Sequence, residues 1–190
     1  MPAIGFKATK ALGYLVVAAA VALTAWWGAD GGQETGGAPQ GEKARLVKVV
    51  DGDTVRVRYG GRVQSVRLLG IDTPETKHSP RLARRARQQG RSPGREARMG
   101  AQAAAFLRRL APAGSLVYLR FDDRQGRRDR HGRLLAYLVN ADGVLTNREL
   151  VAKGMARVYR RFRFAYREQW LELERRARRE RVGFWAHGGP

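Results

Sequence analysis

Three kinds of pattern succeed one another along the chain. The first is an unbroken apolar run: residues 11–29 (ALGYLVVAAAVALTAWWGA) are uncharged and mostly apolar. As a helix rising ~1.5 Å per residue they reach ~28 Å, about the hydrocarbon thickness of a bilayer. The second is polar and glycine-rich, residues 30–43, which predicts a flexible tether. The third fills the rest, where short apolar segments alternate with charged ones, and it predicts a folded domain over 44–186.

Within that domain, 44–50 (ARLVKVV) runs into Asp51-Gly52, a turn signal. Val55 and Val57 alternate with Arg56 and Arg58, Gly60-Gly61 marks another turn, and 62–71 (RVQSVRLLGI) resumes an extended pattern. Residues 77–95 are basic and broken by Gly90, Pro93 and Gly94, which predicts a long exposed loop. From Glu96 to Leu110 the chain is Ala-rich, with Phe106, Leu107 and Leu110 at helical spacing before Pro112 and Gly114. Residues 115–121 (SLVYLRF) and 133–140 (RLLAYLVN) read as two more strands. Thr146 with Glu149 makes a capping-box pattern ahead of Leu150 and Val151. A last helix is predicted over 165–181, with Trp170, Leu173 and Ala177 on one face. Along it Glu168, Glu172 and Glu174 alternate with arginines, which predicts a solvated face. Together these elements predict a mainly β, α+β domain: a five-stranded Greek-key barrel of the oligonucleotide/oligosaccharide-binding (OB) type with about three helices.

Charge narrows the partners. Thirty-seven Lys and Arg against seventeen Asp and Glu give a net charge of +20. That bias fits a polyanion, either nucleic acid or anionic lipid, better than a small neutral metabolite. Cysteine is absent, so disulfides and thiolate metal sites are excluded. Residues 1–10 carry Lys7 and Lys10 and no acid. This flank is expected to stay cytoplasmic while the chain beyond residue 29 is exported. The segment at 11–29 reads as an uncleaved membrane anchor, with Trp26 and Trp27 at the interface, or as a signal sequence cleaved near Ala20 and Ala22.

Three clusters carry chemistry. Asp51-Gly52-Asp53-Thr54 places two carboxylates about a glycine, an oxygen-rich turn suited to a hard cation. In Arg67-Leu68-Leu69-Gly70-Ile71-Asp72-Thr73-Pro74-Glu75, Pro74 stiffens a corner between Asp72 and Glu75. In Asp129-Arg130-His131-Gly132-Arg133, a flexible glycine precedes a guanidinium whose fork matches two phosphate oxygens. If the strands adjoin, these carboxylates and arginines suit phosphodiester hydrolysis. A metal polarises the phosphate, a carboxylate positions water, and arginines stabilise the transition state.

The order D-G-D-T, R-L-L-G-I-D-T-P-E-T, D-R-H-G-R-L-L-A-Y and G-F-W-A resembles the staphylococcal nuclease (thermonuclease) family over about residues 44–186. The resemblance implies the OB barrel and a Ca²⁺-dependent, sugar-nonspecific nuclease of DNA and/or RNA leaving 3′-phosphates. It implies that Asp53 and Asp72 are Ca²⁺ carboxylates, with the Thr73 carbonyl as a further ligand. By the same matching Glu75 is the general base or water-positioning group, and Arg67 and Arg133 clamp the phosphate. A non-catalytic nucleic-acid-binding OB module is the competing reading, and the presence of all five side chains argues for the enzyme. Where the best-known member has Lys-Tyr, this chain has Arg130 and His131, which bear on substrate binding. The base-stacking segment aligns with 158–162, leaving Tyr159 and Phe162 as its aromatics, and the basic stretch at 77–95 is longer than in that member. Lys77 and the arginines at 81, 84, 85, 87, 91, 95 and 98 could track a nucleic-acid backbone, face anionic lipid, or solvate a loop. His78, His131 and His187 lack metal-ligand spacing.

Overall fold

The structure, a computed structural model, describes residues 40–76, 79–88 and 90–186. The expected anchor or signal segment at 11–29 and residues 30–39 of the tether lie outside them, as do Lys77, His78 and His187. Among the described residues no helix is long and apolar enough to cross a membrane.

Alternation makes the barrel. In β1 (Glu42–Asp51), β2 (Thr54–Tyr59) and β3 (Arg62–Leu68) the inward positions are Ala44, Leu46, Val55, Val57, Val66 and Leu68, all buried. Gly60 and Gly61, both at positive φ, close the β2–β3 hairpin with the backbone twist that adjoining strands need. β1 slips register after Leu46 and again after Val49, and such bulges bend a strand enough to wrap a small barrel. Two more strands, β5 (Leu116–Arg120) and β6 (Leu134–Asn140), complete a closed barrel in the order β1-β2-β3-β6-β5. Among the described residues only β3 and β6 pair in parallel. β1 begins at Glu42, and Glu42–Arg45 pair with Leu116–Leu119 of β5.

The strand expected over 62–71 breaks at Leu69-Gly70. Gly70 has φ 79°, and a Cβ there would meet the Phe164 and Trp170 rings at 2.7 and 2.8 Å. The chain then turns into β4 (Ile71–Asp72), which pairs outside the barrel with β7 (Arg157–Val158). This break moves Asp72 off the barrel wall and onto the rim where the site forms.

Among the described residues there are four α-helices, where the sequence predicts about three. The expected loop at 77–95 contains helix α1 (Pro80–Gln88), which leads through a short turn into α2 (Pro93–Leu110). On its apolar face Leu82 and Ala86, one helical turn apart, are buried, with Ala83 half-buried beside them. Leu82, Ala83 and Ala86 fall on one helical face, but so many arginines around them make the stretch read as exposed. Arg91, expected in the exposed loop, is buried against Glu96, with Nη1 2.7 Å from Oε1. Helix α2 packs Ala103, Ala104 and Leu107 into the core, and Met99 is buried beside them.

Helix α3 (Thr146–Ala152) starts without the expected capping box. The Thr146 hydroxyl is buried and donates instead to the Leu138 carbonyl at 3.0 Å, while Glu149 accepts from Arg148. Helix α4 (Arg167–Arg179) buries Trp170, which stacks on Tyr166 and meets Tyr137 edge-on. Phe184 and Trp185 are buried as expected for core residues. Glu168 and Glu172 face solvent, but Glu174 is 1% exposed. It accepts from the Val158 backbone N–H and from Arg160 and Arg178, so the solvated-face reading fails at that residue. A buried carboxylate here fixes β7, and through β7 the rim strand β4.

Candidate active site

Two glycines let distant segments touch. A Cβ on Gly52 would stand 2.5 Å from the Ala103 Cβ on α2 and 2.9 Å from the Thr73 side chain. A Cβ on Gly100, three residues before Ala103, would stand 2.6 and 2.5 Å from the Pro74 and Glu75 carbonyl oxygens. The small-residue face of α2 therefore receives both the Asp51-Gly52-Asp53 turn and the Thr73-Pro74-Glu75 corner. Residues far apart in sequence are held at one rim of the barrel.

Asp53 anchors the group and is 7% exposed. Its Oδ1 accepts from the Thr54 hydroxyl at 3.1 Å and its Oδ2 from the Thr73 backbone N–H at 2.8 Å. Arg67 Nη1 lies 3.1 Å from the same Oδ2, and Nη2 reaches Asp72 Oδ1 at 3.5 Å. Burial pushes the Asp53 carboxyl up. The Arg67 charge, the Thr73 N–H and the hydrogen bonds from Asp51 and Thr54 outweigh it and hold Asp53 below the usual carboxylate range. Burial and the Asp53 charge push its neighbour Asp51 up to about 6. The pair thus ionises in steps, Asp53 first.

The other expected residues surround this centre. Glu75 is half-buried, and its Oε2 accepts from the Ser79 hydroxyl. The same Ser79 oxygen accepts from the Leu82 backbone N–H at 3.0 Å and so caps α1. Arg133 immediately precedes β6, whose Leu135 is the register partner of Arg67. By alternation it faces outward, like Arg67. Asp129 holds it there: Oδ2 accepts from Nε at 2.8 Å and pairs with Nη2 at 2.7 Å. Asp129 Oδ1 also accepts from the His131 and Arg133 backbone N–H groups, at 2.9 and 3.0 Å. Burial pushes the Asp129 carboxyl up, but these donors and the Arg133 charge keep it lowered. Arg130 and His131 sit exposed in the same turn, where Arg130 Nε donates to His131 Nε2 at 3.1 Å. Tyr159 and Phe162 pair with ring centroids 5.4 Å apart, and Phe162 is 56% exposed. They come directly after β7, and the Tyr159 N–H bonds to the Gly70 carbonyl at 2.9 Å, just before β4.

Direct contact therefore unites Asp53, Arg67, Asp72 and Thr73. Glu75 stands on the same corner, Arg133 on the neighbouring strand, and the aromatic pair beyond the β4–β7 ribbon. Sequence reasoning missed Ser79, whose only signal is a Ser-Pro start to a basic segment, the N-cap signature. It also gave no role to Asp129, although an Asp two residues before a turn backbone N–H is the pattern of an Asx turn. Among the described residues no group of three or more His, Cys, Asp or Glu could hold a metal ion.

Comparison with known proteins adds to this geometry. A family model described as "Staphylococcal nuclease homologue" matches residues 65–187. That span begins inside β3, so Asp53 lies outside it and is tied to it by the contacts with Arg67 and Thr73. An uncharacterised protein of Methanocaldococcus jannaschii is 34% identical over 148 residues, covering 74% of this chain and 70% of that one. The SPbeta prophage-derived endonuclease of Bacillus subtilis is 36% identical over 146 residues, 76% of this chain but 44% of its own length. The thermonuclease of Staphylococcus hyicus is 28% identical over 144 residues, 75% of each.

Proposed function

The chain belongs to the staphylococcal nuclease family, and from that premise we propose that it hydrolyses phosphodiester bonds of DNA and/or RNA with the help of Ca²⁺. The observation that carries this reading is the bridging of Asp53 and Asp72 by Arg67, with the Thr73 backbone tied to Asp53. A phosphate fits that guanidinium, and the donors beside it are hard oxygens.

The donor set suits Ca²⁺. Asp53 is held ionised and Asp72 is 26% exposed at the rim. With the Thr73 carbonyl they would give such an ion three oxygen donors from this chain. When bound, the ion supplies Lewis-acid polarisation of the phosphate. The side chains do the rest. Glu75 takes a proton from the attacking water as its oxygen bonds to phosphorus. Arg67 turns from the carboxylates to the phosphate oxygens. Arg133, gripped by Asp129 through Nε and Nη2, offers its remaining edge to the same phosphate. The P–O5′ bond breaks, and the departing oxygen takes up a proton to give a 5′-hydroxyl and a 3′-phosphate. Arg133 is pre-positioned for the charge of the transition state, which is where such donors contribute most. Arg130, His131, Tyr159 and Phe162 form the surrounding contact surface for the nucleotide.

We also propose that the barrel acts outside the cytoplasm, on the basis of Lys7 and Lys10 ahead of the apolar segment at 11–29. Protease accessibility in intact, wall-stripped cells tests this, and protection until lysis overturns it. The catalytic reading is tested with single-stranded DNA in Ca²⁺ and then in chelator. Release of fragments ending in 3′-phosphate only with Ca²⁺ is expected, and intact DNA in both conditions overturns it.

A further inference from the structure

The outer face of the β1–β2–β3 meander carries an unusual register. Arg45 stands opposite Arg58, and Lys48 opposite Arg56. In antiparallel strands such partners point the same way, and like charges directly opposite one another destabilise the pair. All four are exposed. Among the described residues no carboxylate forms an ion pair with any of them, and the Arg45 guanidinium reaches only the Gly114 carbonyl, at 2.7 Å.

The same register ties these residues to the candidate active site. Thr54 pairs with Arg67 and Asp51 with Thr54, so the first row of the outer face is Asp51, Thr54 and Arg67. The next row is Lys48, Arg56 and Ser65, and the one after is Arg45, Arg58 and Val63. At ~3.4 Å per residue, these basic rows lie about 7 and 14 Å from the Arg67 row along the strands. They form a ladder of cations that starts at the phosphate-binding arginine and leads away from it. On the β6 side of β3 the residues paired with Val66, Arg67 and Leu68 are uncharged (Leu134, Leu135 and Ala136), and the cation next in line, Arg133, is held by Asp129 at the candidate site.

We propose that this ladder, Lys48, Arg56, Arg58 and Arg45, is an extended track for the polynucleotide backbone on one side of the bond being cut. The proposal rests on the nuclease reading above and names the part of the substrate that the site itself does not hold. A phosphate strand removes the cross-strand repulsion that no carboxylate relieves. A basic stripe of this kind can track a single strand's backbone without regard to sequence. Rigid strands set the spacing of the cations, so the strand is drawn in along a fixed direction, toward Arg67.

The test compares two triple variants of the full chain: Lys48→Gln/Arg56→Gln/Arg58→Gln, and Arg175→Gln/Arg176→Gln/Arg179→Gln. The second removes the same charge from the solvated face of α4, where these arginines pair with Glu172 and Glu180. Binding of a twenty-nucleotide single strand is monitored by fluorescence anisotropy in chelator, from 50 to 200 mM salt. Three lost phosphate contacts flatten the slope of log K against log salt by about 2 for single strands, so the ladder variant's deficit shrinks roughly fifteenfold across that range. The α4 variant is expected to keep the wild-type slope. Equal flattening in both variants overturns the proposal in favour of diffuse charge. An unchanged ladder slope, with loss of pelleting on phosphatidylserine vesicles, overturns it in favour of a lipid surface. Thermal unfolding guards against misfolding, because removing like-charge pairs should leave the midpoint unchanged or higher. Since binding is read without cleavage, a wild type that binds through the ladder yet cuts nothing in Ca²⁺ sinks the nuclease reading and leaves the ladder standing.

Discussion

Gly100→Ala tests whether α2 sets the position of Glu75. Two effects oppose each other. Gly100 does not occupy the positive-φ region, so its backbone accepts alanine, and the propensity gain in a helix interior is about 1 kcal/mol. Against this, the new Cβ would lie 2.5 Å from the Glu75 carbonyl oxygen and 2.6 Å from that of Pro74, where ordinary contact begins at 3.4 Å. Helix and corner must therefore part by about 0.9 Å, the difference between 3.4 and 2.5. Neither side yields easily. Met99, Ala103 and Leu107 fix the helix in the core, while Pro74 stiffens the corner and Asp53 holds the Thr73 N–H.

Overpacking of this kind costs about 1–3 kcal/mol, which offsets the propensity gain and leaves a net loss of roughly 0–2 kcal/mol. The larger effect is on rate. A displacement near 1 Å of a group that positions water costs about 10²-fold. Turnover on single-stranded DNA in saturating Ca²⁺, together with urea unfolding monitored by tryptophan fluorescence, separates the two. A Gly100→Ala protein that is about 1 kcal/mol more stable and turns over within threefold of wild type refutes the reasoning, because it behaves as an unconstrained helix glycine.

The same contacts bear on other perturbations. Glu75→Gln or Arg133→Ala is expected to lower kcat by ~10²–10³ with unfolding unchanged, and near-normal kcat in Arg133→Ala removes that arginine from the mechanism. Mg²⁺ is expected to support cleavage poorly, since a partial, irregular oxygen shell suits the larger ion; full turnover in Mg²⁺ with a Ca²⁺-selective chelator contradicts this. Asp122 is buried and accepts from the Tyr137 hydroxyl and the Ala165 and Arg124 N–H groups. Burial pushes its carboxyl up, but these donors and the Arg124 charge keep it lowered, so its stabilisation is present above the unfolded Asp value of about 3.9 and lost as pH falls through the lowered folded value. Asp122→Ala should therefore cost about 2–4 kcal/mol at pH 7, and its difference from wild type should shrink in urea titrations below about pH 4; a pH-independent difference refutes the role assigned to its charge.

The barrel was legible because its strands alternate: Val55 and Val57 between arginines leave one arrangement that buries the valines. The rim was only partly legible. Asp53, Arg67, Asp72 and Thr73 lie within a short stretch of a recognisable pattern, and the structure brings them into contact. Helix α1 was not legible, since its buried face is two residues wide and its remaining content argues for exposure. Glu174 misled for a related reason. Its neighbours Glu172 and Arg175 pair on the surface, and nothing local distinguishes a carboxylate that turns inward to hold the Val158 N–H. The Thr146–Glu149 spacing matched a capping box, but the Leu138 carbonyl, delivered by another element, outcompeted the local partner. For Glu174 and Thr146 the deciding partner sits on another element.

Holding by neighbours also explains how a mobile substrate meets a fixed site. Every charged group at the rim is held by a neighbour on a different element or across a turn: Asp53 by Thr73 and Arg67, Glu75 by Ser79, Arg133 by Asp129. A guanidinium shared between two carboxylates is already oriented, yet it can exchange those partners for phosphate oxygens with little net change in charge pairing. Asp129 differs, because it grips Arg133 on one edge only and need not let go. The two arginines should therefore respond differently to loss of their holders. Asp129→Asn weakens the aim of Arg133 while leaving its charge, so kcat should fall by about tenfold, less than the ~10²–10³ for removing the guanidinium itself. In Asp129→Asn/Arg133→Ala the first substitution should add almost nothing to the second, since the holder has lost what it held. Single-turnover cleavage of the four proteins of this cycle measures the coupling. Independent, multiplicative losses would show that Asp129 acts on the reaction by some route other than Arg133.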